Sequence, residues 1–132
     1  MIVTQVWQRL FVGGIGDAES NPIEITTVVT LCRKRLKKGA PRVNYFYFPL
    51  RNTLPIPVRR FDAIVNALWE AIRWENVLVH SLAGASRSPI IAAAWMHAVG
   101  YKKIDAALAE IGKMRRIEPK PVLLRSVKEE LW

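Results

Sequence analysis

Short runs of apolar residues alternate along the chain with longer stretches in which apolar positions return every three or four residues. Leu10-Phe11-Val12 reads as a strand closed by Gly13-Gly14, and Val28-Val29-Thr30-Leu31 as a β-branched, buried strand. Tyr45-Phe46-Tyr47-Phe48 is an aromatic strand stopped by Pro49, and Val77-Leu78-Val79 a strand rich in valine. Between the last two, the spacing predicts a helix from about Val58 to Trp74, with Phe61, Ile64, Val65, Leu68 and Ile72 on one face. Pro55 and Pro57 precede it, where proline is tolerated. Pro89 sits near the first turn of a helix running to Val99, in which Ile90 to Met96 is apolar on nearly every face and therefore central. Gly100 is its stop. Asp105 is read as the cap of a further helix carrying Ala107, Leu108 and Ile111 inward. Pro119 and Pro121 precede a last helix with Val122, Leu123, Val127 and Leu131.

Strands alternating with helices predict an α/β fold: a single three-layer domain over residues 1–132, with a mostly parallel central sheet of four to five strands and helices on both faces. A length of 132 residues suits one core. In such a sheet, ligands bind beyond the C-terminal end of a central strand. His80-Ser81-Leu82-Ala83-Gly84-Ala85-Ser86-Arg87-Ser88 occupies that place, between the Val77 strand and the Pro89 helix.

Composition narrows the chemistry. The formal charge of +9 favours acidic partners. Its one cluster, Arg33-Lys34-Arg35 with Lys37-Lys38, reads as a solvated loop or helix face, with a docking patch for an acidic partner as the alternative. The cluster has no interleaved aromatics to stack bases, which argues against nucleic acid. The longest apolar run, Ile90 to Met96, is too short to span a bilayer. Met1 to Gln5 lacks the pattern of a secretory signal. Cys32 is the only cysteine, so no internal disulfide forms and a cytoplasmic location is expected. With only His80 and His97 besides, no metal or cofactor is expected.

Strand, tight loop and helix N-terminus together present backbone N–H groups to an anion. Gly84 lets the backbone curl so that consecutive N–H groups converge, over the stretch Leu82, Ala83, Gly84, Ala85, Ser86 and Arg87. The helix starting near Arg87 adds positive potential. The guanidinium of Arg87 can grip two phosphate oxygens. A plain Ser/Gly/Ala turn is the competing reading, opposed by the register of these residues after a strand and before a helix. A serine-hydrolase elbow is discounted: Gly84-Ala85-Ser86-Arg87-Ser88 lacks the final glycine of G-x-S-x-G.

The stretch resembles the phosphate loop of the cysteine-dependent phosphatases, H-C-x-x-G-x-x-R-[ST], in the dual-specificity form "VHCxAGxSRS". Weaker likenesses extend it: Gln8 to Ala18 resembles "LYLGxxxxA", Val28-Val29-Thr30-Leu31 resembles "VVNL", Tyr47 to Asn52 resembles "YxxIPIxD", and Arg115-Arg116-Ile117-Glu118-Pro119 opens a stretch similar to "RRPxxxPNxxFxxQL". The resemblance implies a compact dual-specificity phosphatase. The position of Ser81 would be the nucleophile, Ser88 would donate to the departing sulfur, and His80 would orient the loop through hydrogen bonds to backbone.

Two residues depart from the family. Ser81 stands where the family has cysteine, and a helix end cannot ionise a hydroxyl near neutrality. Asn52 stands at the general-acid position, where an amide cannot supply a proton. No Asp or Glu lies between Glu24 and Asp62 to replace it. Glu118, before the last helix, is the alternative acid; its plain reading is an exposed helix-entry glutamate. The chain as written is therefore expected to bind phosphate without turning it over. Either an active enzyme carries a trapping substitution, or the chain is a natural pseudophosphatase that binds phosphorylated partners. The presence of Gly84, Ser86, Arg87 and Ser88 favours the first. Uncharged Leu82, Ala83 and Ala85 favour a single phosphate on a protein side chain, and the resemblance implies phosphotyrosine, with phosphoserine and phosphothreonine behind it. Expected partners are thus a phosphorylated protein or a small aryl phosphate, with phosphate or sulfate in the site. Neither nucleic acid nor membrane is expected, and the chain is expected to be a monomer.

Overall fold

Alternation within the strands divides the apolar residues between two faces of one sheet. Leu10, Val12, Val29, Val77 and Val79 join the larger core cluster, while Phe11, Val28 and Leu78 join a smaller one on the other side. The computed structural model describes residues 3–131. Met1 and Ile2, which open the stretch read for a secretory signal, lie outside them.

In chain order the strands are β1 (Thr4–Trp7), β2 (Leu10–Gly13), β3 (Thr27–Thr30), β4 (Asn44–Tyr47) and β5 (Val77–His80). The helices are α1 (Ile15–Glu19), α2 (Val58–Ala71), α3 (Arg87–Ala98), α4 (Ile104–Met114) and α5 (Pro121–Glu129). The sheet order is β1-β2-β5-β3-β4. β1 is antiparallel to β2; the other pairs are parallel. The valine strand β5 is thus central, and the loop beginning at Ser81 leaves its C-terminal end.

The two layers around the sheet are unequal. Residues of α2, α3, α4 and α5 all pack into the larger cluster. In α3, every residue from Ser88 to Met96 is buried, as its unbroken apolar surface predicts. Burial of Ile90, Ile91 and Met96 contributes about 1.5–3 kcal/mol each. The opposite face is covered by the five-residue α1 and by loops, through Ala18, Ile25, Leu36 and Val43. Helices do lie on both faces, but one layer is mostly loop.

Several boundaries differ from the periodicity. β3 and β4 each begin and end one residue earlier than read, and α2 stops at Ala71, three residues short of Trp74. Lys103, not Asp105, occupies the N-cap of α4; Asp105 lies in its first turn, where a carboxylate favours the helix dipole. Val122 is 42% exposed, while Leu123 and Val127 are fully buried. Among the described residues no helix is long and apolar enough to cross a membrane.

Candidate functional site

The site is assembled around the exit of β5. His80 pairs in register with Thr30 of β3. Its Nδ1 lies 3.1 Å from the carbonyl of Ser81, which only accepts, so Nδ1 carries the proton. Nε2 then accepts from the Thr30 hydroxyl at 2.7 Å. Burial pushes the histidine below its ordinary pKa, in keeping with this neutral tautomer. Both ring nitrogens are committed, and neither serves Ser81 as a base.

Ser81 is buried, and its Oγ lies 3.0 Å from the Ser88 Oγ and 3.4 Å from the Ser88 N–H. The Ser88 hydroxyl also faces the Gly13 carbonyl at 3.4 Å. The first turn of α3 therefore points a hydroxyl and a backbone N–H at one atom. Beyond it the chain curls through Gly84 at φ +72, a left-handed conformation that glycine adopts without strain. A side chain at 84 would also meet the Gly13 backbone and the Arg115 guanidinium, both 2.7 Å from the Cβ it would add.

Among the described residues, the backbone N–H groups from Leu82 to Arg87 have no hydrogen-bond acceptor. Arg87 donates from Nη1 to the Leu50 carbonyl at 3.2 Å, while its buried Nε has no acceptor either. A buried donor without a partner costs about 1–3 kcal/mol, which a bound oxyanion would offset. The cleft above these groups has a volume of about 240 Å³ and is bordered by Asn52, Ser81, Arg87, Glu118 and Lys120. Its donors suit a tetrahedral oxyanion seated over Ser81.

The structure thus brings together all the sequence-derived site residues, from His80 to Ser88 with Asn52 and Glu118. Asn52 accepts from the Ser86 hydroxyl at 2.7 Å. Glu118 is exposed and paired with Lys120 at 2.5 Å, and that bond holds its carboxyl below the usual range. Cys32 is buried and hydrogen-bonded to the Lys34 carbonyl; burial pushes its thiol up, away from thiolate character.

Four contributors were not singled out from sequence. Thr30 fixes the His80 ring. Gly14 packs against the loop so closely that an added Cβ would lie 2.9 Å from the Leu82 carbonyl. Arg115 donates to the Val12 carbonyl at 2.8 Å and to Thr4 at 3.2 Å beneath the loop. Lys120 bonds Ser86 through its backbone and borders the cleft. Of these, Gly14 carries the signal of a glycine pair ending a strand, Thr30 and Arg115 fall within the weaker likenesses to the family, and Lys120 has no mark of its own. Among the described residues, no group of three or more His, Cys, Asp or Glu is placed to hold a metal.

No protein-family model matches the chain, and no curated protein matches it in sequence. Solved structures do. The chain is similar to DUSP15 at 24% identity with a TM-score of 0.86, covering 99% of this chain and 88% of that one. It is similar to a mouse putative dual specificity phosphatase, solved with zinc tungstate, at 20% identity and a TM-score of 0.88, over 98% and 86%. A human tyrosine phosphatase-like serine/threonine/tyrosine-interacting protein aligns at 19% identity and a TM-score of 0.80, over 98% and 95%. The fold of the chain is that of the dual-specificity phosphatases.

Proposed function

We propose that this chain recognises a phosphate monoester on a protein side chain, phosphotyrosine above all, and that with cysteine at position 81 it hydrolyses it. The observation that carries this reading is the set of donors without a protein partner in the loop that follows Ser81: the N–H groups of Leu82 to Arg87 and the buried Nε of Arg87. In that mechanism the thiolate attacks phosphorus, the ester oxygen leaves and takes its proton from solvent, since Asn52 offers none, and water then releases phosphate from sulfur. Arg87 and the loop N–H groups balance the charge on the transferring group. Ser88 Oγ, 3.0 Å from Ser81 Oγ, stabilises the departing thiolate. His80 positions the loop and takes no proton. As written, the chain holds its ligand without turnover, because no base reaches the Ser81 hydroxyl.

The reading includes one domain over residues 1–132, acting as a monomer, and a cytoplasmic location supported by the single free, buried thiol of Cys32. The test is Ser81→Cys, assayed on an aryl phosphate at mildly acidic pH. Turnover above the serine form is expected, and its absence would overturn the enzymatic reading.

A second reading is a natural module that binds phosphorylated partners. It is favoured by the two chemically silent positions, Ser81 and Asn52, that border one cleft. A Ser81→Cys protein that binds phosphotyrosine peptides and leaves them intact would establish it.

A further inference from the structure

The basic character of the chain is confined to one region. Nine of the twenty Lys and Arg, and none of the eleven Asp and Glu, lie between Ile25 and Phe61; the remainder is balanced at eleven against eleven. The whole excess of +9 therefore sits on the connection between β3 and β4, the segment after β4 and the start of α2. β3, β4 and β5 are parallel, so those loops leave the sheet at the same edge as the Ser81 loop.

Three of these cations meet. Arg33 from the β3–β4 loop, Arg51 from the segment after β4 and Arg60 from the first turn of α2 line a cavity of about 210 Å³. Its apolar lining includes Leu54, Ile56 and Leu123. Arg60 is anchored by donating to the Pro49 carbonyl at 2.6 Å. The Arg33 loop is anchored by the Tyr47 hydroxyl, which donates to the Arg33 carbonyl at 2.6 Å. Among the described residues the ion pairs use Lys102, Lys120 and Lys128, and no carboxylate pairs with the three arginines. Like charges gathered in one concavity repel each other and raise the local concentration of anions.

The cavity adjoins the phosphate cleft. Leu50 lines it and accepts from Arg87, and Asn52, two residues on, borders the cleft. We propose that Arg33, Arg51 and Arg60 form a second anion subsite, which takes an acidic group carried by the same protein substrate beside its scissile phosphate. This rests on the reading of the Ser81 loop as a phosphate site. Guanidinium forks match phosphate and carboxylate alike. The apolar lining suits the stem of a side chain, which favours a protein over a lipid headgroup.

The test is calorimetric titration of the full chain with three phosphotyrosine peptides: one with neutral flanks, one with flanking glutamates, and one with a second phosphate at neighbouring positions. The titrations are repeated with Arg33→Ser/Arg51→Ser, which alters two exposed side chains and keeps the Arg60 anchor. The second anion is expected to tighten binding about tenfold, the scale of one charge-assisted contact. In the double variant this ratio should fall below about twofold. A larger gain for phosphate assigns the subsite to a second phosphate, and equal gains assign it to any acidic side chain. In the unaltered chain, added salt should erase the gain before it erases binding of the neutral-flank peptide. A ratio unchanged in the double variant overturns the subsite. So does arginine-dependent binding to vesicles containing phosphatidylinositol bisphosphate when the peptides show no gain. Arg87→Lys separates the two readings: if it weakens the neutral-flank peptide while no second-anion gain exists, the subsite fails and the loop reading stands. A chain that binds no phosphopeptide overturns both.

Discussion

The phosphate loop and the segment facing it, residues 48–57, border one cleft and are built in opposite ways. The loop is clamped between a buried strand and a buried helix, with His80, Ser81, Ser86 and Ser88 all buried. Its backbone is tied to Gly13, Ile15 and Glu118. The facing segment has no regular structure, carries Pro49, Pro55 and Pro57, and meets the loop through Arg87 to Leu50 and Ser86 to Asn52. The loop proposed to grip phosphate is thus held by backbone at several points, while position 52, where the proposed mechanism needs an acid, is held by one side-chain bond. Evolution or design can change the second without loosening the first.

The largest effect is expected in the loop itself. In a Ser81→Cys background, Arg87→Lys should lower aryl phosphate turnover by about a thousandfold, because a point charge cannot replace the fork. A loss under tenfold would show that the grip lies elsewhere.

The facing segment should respond more gently and in the opposite sense. Asn52→Asp in the same background should raise turnover about a hundredfold for poor leaving groups, and less for nitrophenolate. The Ser86 hydroxyl that now bonds Asn52 would bond the new carboxylate and hold its pKa down. Adding Ser86→Ala should therefore move the basic limb of the pH–rate profile to higher pH. Glu118→Gln should leave the profile in place, since Lys120 already keeps that carboxyl ionised. A flat leaving-group dependence after Asn52→Asp, steepened by Glu118→Gln, would transfer the acid role to Glu118.

The smallest effect concerns stability. Burial lowers the His80 pKa in the folded chain, so on acidification the unfolded state takes up the proton first. The contribution of neutral His80 is fully present above a pH of about 6.5 and is lost as the pH falls toward its folded value. Between pH 7 and 5 the melting temperature of the parent should drop a few degrees more than that of His80→Gln. Parallel curves would mean that His80 titrates normally and that the loop's anchor is misassigned.

The loop was legible because its chemistry is contiguous and its flanks follow two clean periods. The core helices were legible for the same reason: Phe61, Ile64 and Leu68 repeat at helical spacing, and Ile90 to Met96 is apolar throughout. β1 has no sequence signature, because four residues with a register shift between Gln5 and Trp7 show no sustained alternation. α1 is a five-residue helix, shorter than any period can reveal. Lys120 carries no local mark, and Arg115 only its place in a weak likeness to the family. Their places are set by the turn between α4 and α5 closing over the loop, a long-range event that no window of sequence contains. Asn52 is marked only by the resemblance of Tyr47 to Asn52 to the family pattern, and the structure adds a partner for it, Ser86.

Arg115 reaches back over 111 residues to Thr4 and over 103 to Val12, and Lys120 crosses 34 to Ser86. Closing loops of that size is slow, and it comes after local structure has formed. A polypeptide emerging from synthesis therefore carries the complete motif of residues 80–88 well before it owns a binding site. A fragment cut ahead of Arg115 would carry residues 80–88 whole and would lack the support beneath them. Phosphate affinity, followed as a function of chain length, is thus a readout of when this molecule finishes folding.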